Sequence, residues 1–291
     1  MKIKFFDIQR FSDEQGVTLS NSNSDTVITG TAYADSITNM GSNVTISVGE
    51  GYDTIRNGDS AANRWTASNV WIDAGDDADY IINYANNVTI EAGAGRDYIR
   101  NNGVTITINS GAYDSSVSYY RGSKVLMNGG TNADTIHNEN GSDVTINGGE
   151  GDDYIYSFGN ECKINADSGN DTIVSTNVYG NSTIKGGAGN DSIHSSGSNV
   201  TIDGGSGSDS IYSSGNSTIH GGTGNDHITL GSGKKNVIQY ATGDGNDWIY
   251  GFSNSDTLIV NDSSYTTMKS GNNLKINFEI GRAHVLNSSH D

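Results

Sequence analysis

The sequence predicts an all-β fold, a β-solenoid with about 18 residues per coil, because two short patterns alternate along most of the chain. One pattern is GGxGxDxI and the other is VTI. Most steps between successive aspartates of the first pattern equal one period; one step of 26 residues carries an insertion, and one of 37 residues is close to two periods. The aspartates are Asp35, Asp53, Asp79, Asp97, Asp134, Asp153, Asp171, Asp191, Asp209, Asp226 and Asp247.

The GGxGxDxI copies are most complete in the C-terminal half. The five best copies span residues 148–155, 186–193, 204–211, 221–228 and 242–249. The copies at 92–99 and 166–173 keep the glycine two residues before the aspartate, the copy at 129–136 has Asn132 there, and the copies at 30–37 and 74–81 diverge further. Any sites at these turns are therefore expected to weaken toward the N-terminus.

The VTI pattern supplies the second strand of each coil. It occurs at residues 44–46, 88–90, 144–146 and 200–202, with looser copies at 182–184 and 217–219. In a strand of period two, the first and third side chains point inward and the threonine points outward. These apolar residues face the isoleucine of DxI across a thin core. A single coil cannot bury them, so the coils must stack.

The turns combine glycines with a carboxylate. Glycine tolerates positive φ and lets the chain bend tightly, so that its carbonyl oxygens can face a shared cavity. The aspartate adds an anionic oxygen. A cation between two stacked turns would meet the many oxygen ligands that Ca²⁺ prefers over Mg²⁺, and we expect roughly six to eight ions. The alternative is a metal-free solenoid, in which nothing would require the same aspartate in phase so often.

This pattern resembles the nonapeptide of the RTX, or haemolysin-type calcium-binding, repeat family over roughly residues 30 to 260. The resemblance implies a right-handed parallel β-roll that binds several Ca²⁺ ions in stacked turns along one edge. In the family's commonest form every nonapeptide carries a calcium turn, whereas here only alternate ones do. The resemblance assigns as metal-binding residues Gly93, Gly95, Asp97, Gly130, Asp134, Gly149, Gly151, Asp153, Gly169, Asp171, Gly187, Gly189, Asp191, Gly205, Gly207, Asp209, Gly222, Gly224, Asp226, Gly243, Gly245 and Asp247.

The composition predicts that folding depends on the metal. The formal net charge is -18, hydrophobic residues make up 33% of the chain, and 39 of the 291 residues are glycine. Low hydrophobicity with high net charge is typical of chains that cannot fold unaided. Because each calcium ion neutralises two charges, binding and folding are expected to be one equilibrium.

Two further columns follow from the period. An asparagine or serine lies two residues beyond the isoleucine of DxI in most coils, and stacked side chains of this kind can hydrogen-bond from coil to coil. The column contains Asn39, Asn57, Asn83, Asn101, Asn138, Ser157, Ser175, Ser195 and Ser213. The single cysteine, Cys162, occupies the valine position of VTI, which predicts a buried thiol and excludes an intramolecular disulfide.

The residues present predict no enzymatic activity. There is no H-E-x-x-H zinc motif, no G-x-S-x-G and no phosphate-binding loop, and the acidic charge opposes nucleic-acid binding. His137 and His194 fall in the outward column after the isoleucine. The outward threonines of VTI could form an array that binds ice or polysaccharide, although threonine is favoured on exposed strands in any case.

Period and composition divide the chain into a leader and N-terminal cap at 1–29, the roll at 30–250 and capping strands at 251–278. Residues 279–291 break both patterns and resemble a translated sequencing adapter, so we exclude them from the fold and treat the chain as a truncated fragment. No segment predicts a transmembrane span or an N-terminal secretion signal.

These observations predict a secreted calcium-binding repeat protein with a structural or adhesive role at the cell surface or in the extracellular matrix. Its expected partners are calcium and a surface or matrix polysaccharide or protein. Proteins of the resembled family are exported by a type I system and fold on meeting extracellular calcium. The alternative function is the calcium-binding region of a secreted toxin or hydrolase whose effector part is missing.

Overall fold

The computed structural model describes residues 15–59, 67–111, 115–119, 122–176, 180–231 and 234–261, together with three backbone strands between 265 and 287. Regular structure in these ranges is all β-strand. The chain divides into two compact units, Met1–Gly149 and Glu150–Asp291. In each unit the strands alternate between two parallel sheets. We call them the DxI sheet and the VTI sheet, after the pattern that each contains.

In the first unit, the DxI sheet contains β1 (Thr18–Asn21), β3 (Ser36–Asn39), β5 (Thr54–Asn57), β7 (Tyr80–Asn83), β9 (Tyr98–Asn101), β11 (Ser116–Tyr119) and β13 (Thr135–Asn138). The VTI sheet contains β2 (Val27–Thr29), β4 (Val44–Ser47), β6 (Ser68–Asp73), β8 (Asn86–Glu91), β10 (Ile106–Asn109), β12 (Gly122–Thr131) and β14 (Gly141–Glu150). Both lists give the spatial order.

In the second unit, the DxI sheet contains β15 (Tyr154–Ser157), β17 (Thr172–Ser175), β19 (Ser192–Ser195), β21 (Ser210–Ser213), β23 (His227–Leu230) and β25 (Asn246–Phe252). The VTI sheet contains β16 (Lys163–Ser168), β18 (Thr183–Ala188), β20 (Val200–Ser206), β22 (Ser217–Thr223), β24 (Val237–Ala241) and β26 (Thr257–Asn261). The predicted parallel solenoid with a period near 18 residues is confirmed.

The core consists of stacked aliphatic columns. In the first unit Ile37 pairs with Ile55, Ile55 with Ile81 and Ile81 with Ile99, and all four are at most 1% exposed. Along the VTI strands the pattern of buried and exposed residues alternates, as in β4, where Val44 is buried and Thr45 is not. The prediction that the first and third residues of VTI point inward is confirmed. Each buried isoleucine contributes about 1.5–3 kcal/mol.

The step of 37 residues between Asp97 and Asp134 contains one complete coil, formed by β10 and β11. Val117 takes the isoleucine position of that coil and is fully buried. Ser115 takes the aspartate position, because its backbone N–H donates to Asp134 Oδ1 at 2.7 Å. The step of 26 residues places its extra chain between β5 and β6, so both sheets continue in register on either side.

The asparagine column is buried and hydrogen-bonded from coil to coil. Asn39 Nδ2 donates to Asn57 Oδ1 at 2.8 Å, and Asn57 Nδ2 donates to Asn83 Oδ1 at 2.8 Å. Asn39 also binds the turn that follows it, since Gly41 N–H donates to Asn39 Oδ1 at 3.1 Å. The predicted ladder is confirmed for the asparagines, and it begins one coil earlier than predicted, at Asn21, which donates to Asn39 Oδ1 at 2.8 Å. In the serine part of the column, Ser213 Oγ donates to Ser217 Oγ of its own coil at 2.8 Å instead of to the next coil.

Breaking this ladder is expected to destabilise the calcium-loaded protein. Asn57→Ala removes one acceptor and one donor within a buried column. It leaves one N–H of the Asn39 side-chain amide without an acceptor, and Asn83 Oδ1 keeps only the N–H of Ala85. The expected loss is about 2–4 kcal/mol in the free energy of unfolding, measured by denaturant titration. Thr54→Ala, at an exposed position of the same strand, is the control and should change it by less than about 0.5 kcal/mol.

Cys162 lies where the sequence predicted. It is 1% exposed and free, and its Sγ lies 3.7 Å from Ser157 Oγ, which donates to it. The thiol therefore packs as a small apolar group in the column that valine occupies in other coils.

The ends of the solenoid differ from the boundaries suggested by the sequence. Strands β1 and β2 form a coil before residue 30, although this coil lacks the Gly/Asp turn that made later coils recognisable. At the other end, β27 (Tyr265–Ser270) pairs antiparallel with β28 (Asn273–Phe278). Segment 279–291, which we excluded from the fold, contains β29 (Gly281–Asn287), paired with β25 and β28. An open sheet edge offers free N–H and C=O groups to any adjacent extended segment.

Candidate metal centre

The aspartates of the DxI pattern form a buried column at one edge of each unit. In the second unit Asp171 N–H donates to Asp191 Oδ1 at 2.8 Å, Asp191 N–H to Asp209 Oδ1 at 2.8 Å, and Asp209 N–H to Asp226 Oδ1 at 2.9 Å. The same bond joins Asp153 to Asp171 and Asp226 to Asp247. Each carboxylate therefore uses one oxygen to hold the previous coil.

The first unit repeats this arrangement. Asp35 N–H donates to Asp53 Oδ1 at 2.6 Å, Asp53 N–H to Asp79 Oδ1 at 2.8 Å, and Asp79 N–H to Asp97 Oδ1 at 2.9 Å. Asp97 N–H then donates to Ser115 Oγ at 3.3 Å, because serine replaces aspartate in that coil. The column therefore continues through the coil in which Ser115 takes the position of the buried aspartate.

The other carboxylate oxygen, Oδ2, is buried at most of these turns and has no hydrogen-bond partner within the described part of the chain. This holds for Asp53, Asp79, Asp97, Asp171, Asp191, Asp209 and Asp226. A buried carboxylate oxygen without a partner costs several kcal/mol. It is the group that a cation at the turn would satisfy.

Asp35 differs from the others. Its Oδ2 accepts the backbone N–H of Thr31 at 2.7 Å, and Thr31 Oγ1 donates to its Oδ1 at 3.1 Å. The turn itself therefore satisfies this carboxylate, in keeping with the prediction that sites weaken toward the N-terminus.

The first glycine of each GG pair leaves space for a convergence of oxygens. A Cβ at Gly186 would collide with both Asp191 Oδ2 and the carbonyl oxygen of Gly204, one coil later. A Cβ at Gly204 would collide in the same way with Asp209 Oδ2 and the carbonyl oxygen of Gly221. A carboxylate oxygen and a carbonyl oxygen from the next turn thus face one point, which only glycine leaves open.

The later turn residues need the left-handed backbone region. Gly187 and Gly189 have φ of 119° and 135°, and all the glycines assigned to the metal site from the sequence share a positive φ. Where the pattern departs from glycine, Asn132 has φ of 72° and Asp77 has φ of 77°. Asn and Asp tolerate this region better than other residues, so the weaker copies keep the turn geometry.

A methyl group at the point of convergence is expected to weaken calcium binding. Gly204→Ala places its Cβ against Asp209 Oδ2 and the carbonyl oxygen of Gly221. The calcium concentration that half-folds the chain, measured by circular dichroism, should rise several-fold. Ser208→Ala changes an exposed residue of the same turn and should leave the midpoint unchanged. An equal response of the two variants would contradict the assignment of this space to a cation.

Burial makes these carboxylates hard to ionise without a counterion. Desolvation, with a smaller contribution from neighbouring aspartates, raises the pKa of Asp171 and Asp209 to about 7 against the lowering effect of the backbone hydrogen bond. The same causes raise the pKa of Asp79 and Asp247 to about 8. Burial by itself raises the pKa of Asp191 above its ordinary value. A divalent cation would offset the cost of ionising the column.

His220 makes a contact that the sequence did not predict. Its Nδ1 lies 3.2 Å from Asp203 Oδ1 and its Nε2 lies 3.1 Å from Asp244 Oδ2. The hydrogen bond to Asp203, then that to Asp244, raises the pKa of His220 to about 10, so the histidine is charged at neutral pH. It links the outer face of the VTI sheet to the last Gly/Asp turn, where Asp244 is 4% exposed.

The predicted aspartates are buried in both units, each 2% exposed or less: Asp97 and Asp134 in the first, and Asp153, Asp171, Asp191, Asp209, Asp226 and Asp247 in the second. The structure adds Asp53 and Asp79, which have the same geometry although their turns match the pattern poorly. The only indication of these two positions in the sequence was the spacing of their aspartates, which keeps step with the repeat. Among the described residues, no three His, Cys, Asp or Glu side chains come close enough together to hold a metal ion.

The fold and the site define a class, a parallel β-solenoid with stacked Gly/Asp turns that suit a hard cation. The RTX calcium-binding nonapeptide repeat model matches the chain in four copies, at residues 145–161, 178–211, 213–234 and 240–262. The matched segments are therefore RTX calcium-binding repeats, and their four copies imply several Ca²⁺ ions as the cofactor. The residues fit this ion, because unpartnered Oδ2 atoms and convergent glycine carbonyls supply oxygen ligands.

No curated protein matches the chain. The described ranges contain no helix with the length and hydropathy needed to span a bilayer.

Proposed function

We propose that Ca²⁺ binds between successive Gly/Asp turns, held by the Oδ2 of each aspartate and by glycine carbonyls of neighbouring turns. The sites comprise the predicted glycines and aspartates from Gly93 to Asp247, extended to Asp53 and Asp79. The observation that carries this proposal is the repeated buried Oδ2 without a hydrogen-bond partner, as at Asp191 and Asp209. Ca²⁺ supplies charge and coordination there, and the residues orient their oxygens toward it.

Calcium binding and folding form one equilibrium under this proposal. The chain carries a net charge of -18, and the aspartate column concentrates part of it in a buried row. Without the ion, the row opposes stacking of the coils. With it, the turns close and the thin aliphatic core can form, as in small metal-dependent domains that are unfolded in the apo state.

The protein acts outside the cell under this proposal. A chain that needs calcium in order to fold remains extended at submicromolar calcium and folds where calcium is millimolar. The family match supports this location because RTX repeats are typical of secreted proteins. The single buried cysteine is compatible with it, since no disulfide is needed.

The calcium affinity of the chain tests whether the protein acts outside the cell. Isothermal titration of the full chain should give dissociation constants of about 10⁻⁴–10⁻³ M, the range of extracellular calcium modules. Submicromolar constants would contradict an extracellular role and would favour a cytosolic calcium buffer instead.

The role that we propose for the folded roll is structural or adhesive rather than enzymatic. Supporting it is the regular spacing of outward residues that repeated parallel strands give to both sheets, as where β17 pairs with β19 and β18 with β20. Beads coated with the full chain should attach to cell-wall or matrix fragments in millimolar calcium, and excess chelator should release them. Attachment that persists after the chelator has removed the β-sheet signal would contradict a role for the folded roll.

A further inference from the structure

The outer face of the DxI sheet in the second unit has a composition unlike the rest of the chain. We call this surface the aromatic face. It comprises twelve outward residues at matching positions of β15, β17, β19, β21, β23 and β25, and it leaves out β29, which continues the sheet beyond β25. The twelve are Tyr154, Tyr156, Thr172, Val174, Ser192, His194, Ser210, Tyr212, His227, Thr229, Trp248 and Tyr250.

None of these twelve positions is Asp, Glu, Lys or Arg, in a chain that has 34 acidic and 16 basic residues. The outer face of the VTI sheet in the same unit lacks this property, because it carries Lys163, Lys185 and Asp203. Charged side chains are thus missing from the aromatic face, although the outer face of the VTI sheet, built from the same repeat, carries them. A partner suited to the aromatic face is uncharged.

The rings of the aromatic face are exposed and arranged in stacks. Tyr154, Tyr212 and Trp248 are 40%, 38% and 37% exposed. His194 and Tyr212 lie on adjacent strands with centroids 4.6 Å apart and an interplanar angle of 25°. Trp248 and Tyr250 are 6.3 Å apart at 16°. Flat rings beside hydroxyl groups combine an apolar surface with hydrogen-bonding groups.

The dimensions and composition of the aromatic face favour a polymer chain over a protein surface as its partner. Four-residue strands make it about 13 Å wide, and six strands make it about 29 Å long, or roughly 400 Å² in all. A stable protein interface needs about 800 Å² on each partner and a core of packed apolar side chains. The six strands offer about half that area, and Val174 is the only aliphatic residue among the twelve, so the face lacks the packed apolar core of a protein interface. Such a strip fits one extended polymer chain better than a second protein surface.

We propose that the aromatic face binds a neutral polysaccharide chain that lies across the strands. The C–H faces of pyranose rings would pack on Tyr212 and Trp248, and the hydroxyl groups of Ser192, Ser210 and Thr229 would bond the hydroxyls of the sugar. This assignment rests on the proposed adhesive role and names its partner. It places recognition on the DxI sheet, away from the threonines of VTI.

The test uses the full chain in millimolar calcium with neutral hexasaccharides of β-linked glucose and of β-linked N-acetylglucosamine as probes. Tyr212→Ala and Trp248→Ala are each expected to weaken binding of the better probe about tenfold in calorimetry. The control is Tyr52→Ala, which removes a 69% exposed tyrosine from a turn of the first unit and should not change binding. Circular dichroism verifies that every variant folds with calcium.

Three outcomes would overturn the proposal. In the first, neither probe binds the folded chain. In the second, a probe binds but both face variants retain full affinity. In the third, no sugar binds, and sedimentation shows a concentration-dependent dimer that Tyr212→Ala abolishes. The last outcome would assign the face to a second copy of the chain. All three leave the calcium-dependent β signal intact, so they are distinct from failure of calcium-coupled folding, which removes that signal.

Discussion

Replacing Asp191, Asp209 and Asp226 together by asparagine is expected to reduce the calcium dependence of folding in the second unit and to stabilise its calcium-free form. Asparagine keeps the Oδ1 that accepts the N–H of the previous coil, as Asp191 does for Asp171. Its amide Nδ2 takes the place of the unpartnered Oδ2, and at Asp191 it would face the carbonyl oxygen of Gly204. One substitution thus removes a buried charge and adds a donor that faces an acceptor.

The expected size of this effect is on the order of 2 kcal/mol for each residue in the calcium-free state, because a buried charge without a counterion is replaced by a neutral amide. The variant should show β-sheet circular dichroism in chelator under conditions in which the wild-type chain does not. It should also bind about three fewer calcium ions by titration calorimetry, since three carboxylates are lost.

A matched control removes the same charge from exposed positions of the same unit. Glu150→Gln, Asp152→Asn and Asp167→Asn change exposed acids of the turns, and asparagine already occupies the position of Asp152 at Asn170 and Asn190. This triple variant should keep the calcium dependence of the wild-type protein. If both triple variants respond alike, net charge rather than the buried column controls folding, and the site assignment fails.

Acidification is expected to replace part of the effect of calcium. Burial raises the pKa of Asp53 and Asp97 to about 6, and burial together with neighbouring aspartates raises that of Asp171 to about 7 and that of Asp79 to about 8, from 3.8 in the unfolded chain. A raised pKa in the folded state means that the fold binds protons more tightly than the unfolded chain. The stability from this binding is complete below about pH 3.8 and is lost as pH rises through 6 to 8.

The calcium-free chain should therefore retain more β structure at pH 5 than at pH 8, with each unit of raised pKa corresponding to about 1.4 kcal/mol. Circular dichroism of the calcium-free protein between pH 5 and pH 8 measures this change in β structure. The asparagine variant should show a weaker dependence, because three of the titrating groups are absent. A calcium-free wild-type chain that loses β structure between pH 8 and pH 5 would contradict the assignment.

The sequence predicted the parts of the structure that depend on local pattern. Period-two alternation placed Val44 and Ile46 inward, and the phase of the aspartates placed Asp191 and Asp209 in one column. Cys162 was predicted to be buried because it occupies a valine position. These features follow from which residue occupies which position of one repeat.

Features that depend on contacts between specific side chains were not predictable. Thr31 satisfies the carboxylate of Asp35, which a turn pattern cannot reveal. Ser115 replaces aspartate in a coil whose turn matches no motif. His220 reaches Asp244, which lies 24 residues away in the sequence, because the coil geometry brings them together. The sequence placed His194 in an outward column, and the strand register shows which ring lies beside it, Tyr212 of the next coil.

The most direct test of calcium-coupled folding is a calcium titration of the full chain followed by circular dichroism, with magnesium as the control. We predict a cooperative gain of β-sheet signal with Ca²⁺ and little with Mg²⁺, because flexible turns lined with oxygens suit the larger ion and its higher coordination number. An unchanged β-sheet signal in excess chelator, or an equal response to magnesium, would contradict the assignment of the Gly/Asp turns to calcium.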